Sequence, residues 1–381
     1  MHNIQKIIEL FNISNTELNF IILSLLSLTI ILIFYLYFFR SLFFYKETNG
    51  KFNSGVSVIV CARNEYSNLK KNLHSLLSQS YENYEVIVVN DKSTDKSKEY
   101  LKELSGKYNK LQIVNIDDHI DSREGKKFAL TLGIKTAKYE HILLTDADCT
   151  PRSNNWINEM CNSFDSNDII LGFGAYKKNG GLLNKFIRFD TFNVALYYLS
   201  FSIKNLTYMG VGRNLAYKKS IFFDNKGFAK HMHIASGDDD LFIQEVASNK
   251  NINIKLNKLS HTTSESIDKW KDWLFQKRRH ISTSSHYKLK FKILLSILPF
   301  FTYLYFISIV FLIILKAKFV IILSLILPKI IFSYVINYKI MRKLDCYDLY
   351  FLHPIYEILY LLLQCIFMIN NIVDKPKKWK R

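Results

Sequence analysis

The chain has 381 residues, of which 49% are hydrophobic and 15% aromatic, and its formal net charge is +18. This composition excludes an intrinsically disordered protein, and the charge suits nucleic acid, an anionic membrane surface or phosphorylated substrates. Long apolar blocks favour the membrane among these three. The five cysteines form no C-x-x-C pair, which is typical of reduced thiols in a cytosol-facing domain.

An uncharged stretch at residues 18–39 follows a short N-terminal segment, residues 1–17. As a helix it would be about 33 Å long, which is enough to cross a bilayer. Arg40, Lys46 and Lys51 follow it, so the positive-inside rule predicts an N-terminus outside and a cytoplasmic domain after the helix. A buried core helix is the alternative.

Short apolar runs alternate with amphipathic stretches from residue 52 onwards. Strands are predicted at residues 56–61, 85–89, 111–114 and 141–146. Strands that alternate with helices imply an α/β domain with a parallel, doubly wound sheet, which we assign to residues 52–285. Asp91, Asp146 and Asp148 then lie at the carboxyl edge of the sheet, where open α/β sheets bind ligands.

Two of these aspartates, Asp146 and Asp148, directly follow a strand that is apolar enough to be buried on both faces. Neighbouring carboxylates repel each other, so at neutral pH they favour a cation beside them. Oxygen ligands that share a site with phosphates suit Mg²⁺ or Mn²⁺. The alternative is a solvated turn in which Asp148 caps a helix near Pro151.

The second half of the domain has weaker periodicity and three polar motifs. Glycine pairs within residues 172–174 and 210–212 would let the backbone approach a ligand, although neither is a phosphate-loop signature. The consecutive Asp238, Asp239 and Asp240 form a run that is more often a solvated or capping cluster than a site. The segment 270–280 is basic and aromatic, and a cationic amphipathic helix on the membrane would explain it without any chemistry.

Three further apolar blocks, at residues 293–315, 319–338 and 349–369, predict a C-terminal membrane region of two or three helices at residues 291–373. The basic tail, residues 374–381, favours a cytoplasmic end. Three spanning blocks would leave that tail outside, so we expect one block to be interfacial or re-entrant. The two blocks that contain a proline and a charge are the candidates.

Taken together, the motifs resemble membrane-anchored family-2 glycosyltransferases with a GT-A fold, near the bacterial polysaccharide-synthase branch, over residues 56–280. The resemblance implies an α/β GT-A fold with a Rossmann-like, mostly parallel sheet and transmembrane helices at both ends. It implies that Glu65 ends the nucleotide-side loop, that Asp91 contacts the base and that Lys126 meets the nucleotide or its phosphates. It also places Asp146 on the nucleotide-sugar side and at the metal, and Asp148 at the metal.

Residues 237–240 resemble the family's G-[E/D]-D element, which implies that Asp239 is the general base and that Asp238 lies on the acceptor side. An inverting transfer needs such a carboxylate to take the acceptor's proton, and repulsion from neighbouring aspartates would raise its proton affinity. Gln276 and Arg279 match the element Q-x-x-R-W, whose arginine can bind the diphosphate in a bidentate manner. His280 replaces the tryptophan on the acceptor side.

The favoured function is a metal-dependent, inverting, hexosyltransferase-like enzyme of cell-envelope glycan or glycolipid synthesis. It would move a sugar from a nucleotide-diphosphate sugar, with UDP-sugars preferred, to a lipid-linked or glycan acceptor at the inner (cytoplasmic) membrane. The smaller ring of His280 favours addition of one or a few sugars.

Four other functions compete with this one. A processive polysaccharide synthase is the first alternative, and a catalytically inactive, nucleotide-sugar-binding subunit is the second. A nucleotidyltransferase would need a glycine-rich loop after the first strand, where residues 62–65 contain no glycine. A nucleic-acid binder would need its basic residues on one stripe. Much of the charge here flanks the apolar blocks, so no nucleic-acid partner is expected.

Overall fold

The structure, a computed structural model, describes residues 13–117, 125–234, 236–248 and 250–373, with side chains of the last helix up to residue 367. Most of the predicted N-terminal segment (residues 1–12) and the predicted basic tail (residues 374–381) lie outside the described residues.

Ten strands form two sheets in the described part of the chain. The strands are β1 (Val56–Ala62), β2 (Tyr84–Asp91), β3 (Leu111–Ile116), β4 (His141–Asp146), β5 (Cys149–Pro151), β6 (Ile169–Leu171), β7 (Gly174–Tyr176), β8 (Leu215–Lys218), β9 (Ile252–Ile254) and β10 (Thr262–Ser264). The larger sheet has seven strands in the order β3-β2-β1-β4-β8-β6-β9, and the smaller has the order β5-β10-β7.

Helices flank these sheets and also form the apolar segments near both ends of the chain. They are α1 (Asn15–Phe44), α2 (Tyr66–Leu77), α3 (Ser97–Ser105), α4 (Lys126–Thr136), α5 (Trp156–Cys161), α6 (Leu182–Ile203), α7 (Lys219–Asp224), α8 (Asp240–Val246), α9 (Trp270–Ser284), α10 (Leu289–Ile314), α11 (Phe319–Lys343) and α12 (His353–Val373).

The large sheet confirms the predicted α/β class with a mostly parallel sheet. Strands β3, β2, β1 and β4 run parallel, whereas β8 pairs antiparallel with both of its neighbours. All eight residues of β2 are buried, as expected for a strand covered by helices on both faces. In register, Cys61 lies opposite Asp146, and Asp91 is the last residue of β2. The strand ends therefore meet at one edge of the sheet.

Within the described part of the chain, three helices are long and apolar enough to cross a membrane: α1, α10 and α11. The third C-terminal block forms α12 (His353–Val373), whose side chains are described up to residue 367. This helix packs on the domain, where Trp273 of α9 lies 5.9 Å from Phe367 between ring centroids. The charge in the second block, Lys329, forms an ion pair with Glu357 of α12 at 2.8 Å.

The C-terminal ends of α1 and α11 lie together in the structure. The Nζ atom of Lys343 donates to the backbone oxygens of Leu42, Phe43 and Tyr45 at 3.0, 3.2 and 2.8 Å. A cation at these carbonyls satisfies acceptors that a helix end leaves open. The helices α1 and α11 therefore end on the same side of the molecule.

Ion pairs connect the turn between α11 and α12 to the α/β domain. Asp345 pairs with Arg152 and with Lys258, each at 2.9 Å. Asp348 accepts two hydrogen bonds from the guanidinium of Arg188, at 2.7 and 2.5 Å. This turn therefore lies on the side of the molecule that carries the α/β domain. Helix α10 accordingly runs away from the domain, and α11 returns to it.

Candidate active site

The loops after β1 and β2 are joined by side chains that the strand ends bring together. Asn64 adopts a positive φ of 56°, and its side-chain oxygen accepts the Thr94 N–H at 2.7 Å. Asp95 accepts the N–H groups of Tyr66 and Ser97, each at 3.0 Å, at the starts of α2 and α3. These anionic contacts at two helix N-termini hold the predicted nucleotide-side loops in place.

The predicted nucleotide residues occupy different positions at this edge. Glu65 immediately precedes α2, lines the cavity described below and accepts from Asn68 Nδ2 at 2.5 Å. Asp91 is buried, with 1% of its surface exposed, and is not among the described residues that line that cavity. Asp91 therefore lies at the carboxyl edge of the sheet but outside the cavity wall, and its contact with a base stays a prediction.

Lys126 joins two motifs that are distant in sequence. Gly125 before it has a φ of 109°, which favours glycine, and α4 begins at Lys126 itself. The Nζ atom lies 2.9 Å from Asp146 and 2.9 Å from Asp238. Burial alone would lower the pKa of Lys126, but the surrounding carboxylates hold it well above its usual value. This ammonium is therefore a permanent cation at the centre of the site.

The D-x-D aspartates form a cluster that fits a divalent cation. Ligand atoms of Asp146, Asp148 and Cys149 lie within 4.8 Å of one another. Burial, and then the charge of Asp146, raise the pKa of Asp148 to about 6, which a bound cation would reverse. Burial also raises the pKa of the Cys149 thiol, whose sulfur lies 3.0 Å from Ser264 Oγ. The carboxylate oxygens are thus the suitable ligands, and these suit Mg²⁺ or Mn²⁺.

The three consecutive aspartates have three different environments. Asp238 pairs with Lys126, which outweighs the effect of burial and lowers the pKa of Asp238. Asp240 is buried and accepts the Tyr287 hydroxyl at 2.7 Å, and burial raises its pKa to about 7. Asp239 is only partly buried and caps α8.

The carboxylate of Asp239 is held by the main chain. It accepts the N–H groups of Gly212 and Asp240, each at 2.8 Å. Burial is the first cause that raises its pKa to about 6, and repulsion from Asp238 is the second. The sequence analysis therefore predicted the direction of the pKa change correctly. It attributed the change to repulsion by both neighbouring aspartates, whereas burial is the main cause. A carboxylate with this pKa is ionised at neutral pH and retains useful basicity.

Helix α9 brings the residues of the Q-x-x-R element to the same place. Gln276, Arg279 and His280 line the cavity, and Arg279 Nη2 lies 3.3 Å from His280 Nε2. His280 opens on the cavity, yet the surrounding protein and the cations Arg279 and Lys277 keep its pKa well below the usual value. The imidazole is therefore neutral at pH 7 and offers hydrogen bonds without a charge.

These elements surround one cavity of about 630 Å³, a size that suits a small-molecule ligand. Its floor is the carboxyl edge of the sheet, with Lys126, Asp146 and Asp148. Its walls are α6, α9, α10 and α12, which contribute aromatic, amide and apolar side chains: Asn193, Tyr197, Trp273, Leu295, Pro299, Tyr360 and Gln364. The structure thus brings every predicted site residue except Asp91 to a single cavity.

Sequence reasoning did not assign the residues of the second glycine pair. A Cβ atom on Gly212 would lie 3.2 Å from Lys126 Nζ and 3.6 Å from carboxylate oxygens of Asp238 and Asp239. The next residue, Arg213, also lines the cavity. The signal was present, because paired glycines indicate that another group approaches the backbone closely. The sequence did not show that this group is Lys126 of another motif.

Comparisons with known proteins extend this description. The sequence family described as Glycosyl transferase family 2 matches residues 57–224. An uncharacterized glycosyltransferase of Haemophilus influenzae is 31% identical over 121 residues, which cover 32% of this chain and 36% of that protein. Glycosyltransferase AglE of Haloferax volcanii is 29% identical over 188 residues, covering 48% and 58%. The matched region thus spans less than two thirds of either relative.

Among solved structures, the mannosyltransferase PcManGT from Pyrobaculum calidifontis, in complex with GDP-Man and Mn²⁺, is similar with a TM-score of 0.55. The sequence identity is 15%, and the superposition covers 87% of this chain and 97% of the other. This likeness establishes the GT-A-like fold.

Proposed function

We propose that this chain, a glycosyltransferase by its family 2 domain at residues 57–224, moves a sugar with inversion from a nucleotide-diphosphate sugar to a membrane-associated acceptor. A UDP-sugar is the preferred donor. The observation that carries the proposal is the contact of Lys126 with both Asp146 and Asp238. This contact joins the D-x-D element to the acidic cluster within one cavity. The groups proposed to bind the donor and those proposed to act on the acceptor therefore lie next to each other.

In the proposed reaction Asp239 takes the proton of an acceptor hydroxyl, and the oxygen attacks the anomeric carbon of the donor. The bond between that carbon and the diphosphate oxygen breaks on the opposite face, and the electron pair leaves with the diphosphate. When bound by Asp146 and Asp148, Mg²⁺ or Mn²⁺ supplies positive charge to the leaving diphosphate. Lys126 and Arg279 add fixed cations at the same cavity.

The membrane location of the acceptor is supported by the helices around the cavity. Leu295 and Pro299 line it and belong to α10, one of the three helices apolar enough to cross a membrane. Basic residues follow α1 in sequence, which favours a domain on the cytoplasmic side of the inner membrane. The ion pairs of Asp345 and Asp348 with the domain are consistent with α10 and α11 as a pair of spans.

The test is a turnover assay on the purified full-length chain with a panel of UDP- and GDP-sugars, Mn²⁺ and a lipid extract of the host membrane. We expect release of one nucleoside diphosphate only when its matching acceptor is present, and a product whose anomeric configuration is inverted by NMR. An Asp148→Ala variant is the control. Absence of release with every donor, or a product of retained configuration, would refute the proposal.

A further inference from the structure

The connection between α9 and α10 is attached to the segment that carries the acidic cluster. Before Tyr287, the hydroxyl groups of Thr283 and Ser236 are hydrogen-bonded to each other at 2.5 Å. After it, Lys288 donates its backbone N–H to Gln244 Oε1 at 2.6 Å and its Nζ to the Gln244 backbone oxygen at 2.9 Å. These contacts fix the chain on both sides of Tyr287.

Tyr287 itself holds one carboxylate of the cluster. Its side chain is buried, and its hydroxyl donates to Asp240 Oδ2 at 2.7 Å. The other oxygen, Oδ1, accepts the N–H of Leu241 at 2.7 Å. The Tyr287 ring packs edge-on against Tyr208, with 5.9 Å between the ring centroids. Asp240 is therefore held at both carboxylate oxygens by donors in fixed positions.

Asp240 in turn orients the candidate base through its main chain. Its N–H donates to Asp239 Oδ1 at 2.8 Å. A buried carboxylate that loses a hydrogen-bonding partner is costly, so without the phenol Asp240 would turn towards another donor. Its N–H would turn with it. The contact between Tyr287 and Asp240 thus controls a donor that faces Asp239.

We propose that Tyr287 is a positioning residue for sugar transfer, because its hydrogen bond to Asp240 holds the main-chain N–H that orients Asp239. The meaning of this contact for catalysis rests on the proposed function, whereas its effect on Asp239 does not require turnover. Tyr287→Phe removes the hydroxyl and keeps the ring. We expect kcat to fall about 10-fold or more because the base is misplaced, with little change in the KM for the donor.

The pH profile separates this role from a purely structural one. Besides Tyr287, the charged and titratable groups that face Asp239 and Asp240 come from their own segment, α4, α6, α9 and the loop after α6: Asp238, Lys126, Lys127, Tyr198, Arg279 and Tyr208. All of them remain in Tyr287→Phe. Loss of an N–H donor to its anion should raise the pKa of Asp239 from about 6, so the acid inflection of kcat/KM should move up by about one pH unit. Protonation of Asp240 without movement would remove a negative charge and shift the inflection down, which would contradict the proposal.

Two further variants complete this experiment. Tyr84→Phe is the matched control, because Tyr84 is buried, donates to the Leu77 backbone oxygen at 2.7 Å and does not line the cavity. It should lower the melting temperature about as much as Tyr287→Phe while kcat and the inflection stay unchanged. Equal changes of kcat and inflection in both variants would show a general loss of stability and overturn the proposal.

Asp240→Asn separates the hydrogen bond from the charge. Its amide oxygen can accept the Leu241 N–H while its NH2 group donates to the phenol oxygen of Tyr287, so the contact survives without the negative charge. This variant should lose less kcat than Tyr287→Phe and should not raise the inflection. A loss in Asp240→Asn of about 10-fold or more would assign the role to the charge of Asp240 and overturn the proposal, even if Tyr287→Phe fails to fold.

Infrared titration of the full-length chain in detergent, with Mn²⁺ and without any donor sugar, measures Asp239 directly. The difference between each protein and its Asp239→Asn counterpart isolates the carboxylate band of Asp239, whose midpoint should lie about one pH unit higher in Tyr287→Phe. A chain that shows this shift but transfers no sugar would keep the positioning contact and lose the proposed function. A chain that transfers sugar with the same midpoint and kcat in both proteins would keep the function and lose this inference.

Discussion

Asp239 accepts the backbone N–H of Gly212 at 2.8 Å, so the candidate base is oriented by the main chain of a different motif. Its other oxygen accepts the N–H of Asp240. A main-chain donor keeps its hydrogen at all working pH values, unlike a lysine or histidine partner. The remaining lone pairs of Asp239 are therefore the ones available to an acceptor hydroxyl.

Replacement of Asp239 by asparagine should lower kcat by roughly 10² or more, because the amide has no proton affinity. The KM for the donor should change little. The amide also turns one of its two N–H acceptors into a donor that faces an N–H group, so some loss of thermal stability is expected. Asp238→Asn is the comparison, and a larger fall in kcat there would assign the base to Asp238 instead.

The pH dependence of kcat/KM distinguishes the same two carboxylates. Asp239 must be ionised to act, and its pKa is about 6 because of burial and then Asp238. Activity at saturating Mn²⁺ should therefore rise about tenfold per pH unit below 6 and level off above about 7. The pKa of Asp238 is lowered, so a base there would give a flat profile from pH 5 to 7. An inflection that persists in Asp239→Asn would have to come from another group.

Removal of the metal should abolish transfer without unfolding the domain. Asp148→Ala deletes one carboxylate of the D-x-D pair, and we expect loss of Mn²⁺ binding in calorimetry together with loss of turnover. The circular dichroism spectrum should be unchanged, since the hydrogen bond that the Asp148 side chain makes within the described residues is a long one, 3.5 Å, from Cys149 Sγ. Full activity in excess EDTA would contradict the metal assignment. Asp168→Ala, which removes a carboxylate that does not line the cavity, is the control.

The ion pair of Lys277 with Asp190 should matter for stability. The two side chains are 10% and 9% exposed, and they join α9 to α6. Lys277→Met would leave Asp190 buried without its cation and lower the free energy of unfolding by about 3–5 kcal/mol. The double variant with Asp190→Leu should recover much of the loss. Lys107→Met breaks a surface pair with Glu103 and should have no measurable effect, and equal losses would show that burial is not the cause.

Membrane orientation can be tested with introduced cysteines. The native Cys149 and Cys161 are buried, so their failure to react would be uninformative. Lys318→Cys, in the exposed turn before α11, should react in intact cells with a maleimide that cannot cross the membrane. Lys269→Cys on the catalytic domain should react only after permeabilisation. The reverse pattern would show that the orientation in the membrane is inverted. Labelling of both cysteines in intact cells would show that α10 and α11 do not place them on opposite sides of the membrane.

The sequence predicted the sheet half of the domain because parallel strands put their ends at one edge. Continuous apolar runs such as β1 and β4 identify buried parallel strands, so the position of Asp91 and Asp146 at the same edge of the sheet followed from topology alone. The strand boundaries were less accurate, since β2 continues two residues beyond its predicted end and includes Asp91 itself.

The other half of the site depends on contacts that no local pattern encodes. The pairing of Lys126 with Asp238 and the packing of Gly212 against both arise from long-range folding. The sequence also predicted only that one C-terminal block would not span. In the structure, side chains of α12 pack on aromatic residues of α6 and α9, which lie far away in sequence, and which block does not span stays a prediction.

The position of α12 has a consequence for how the protein matures. Tyr360 and Gln364 in this helix complete the wall of the cavity, whereas the D-x-D element and the acidic cluster come earlier in the chain. During synthesis, the domain with the D-x-D element and the acidic cluster can therefore fold before α12, which completes the cavity wall, has been made. A chain cut after Lys343 should therefore still bind a nucleotide sugar and fail to glycosylate, which ties the onset of activity to completed membrane insertion.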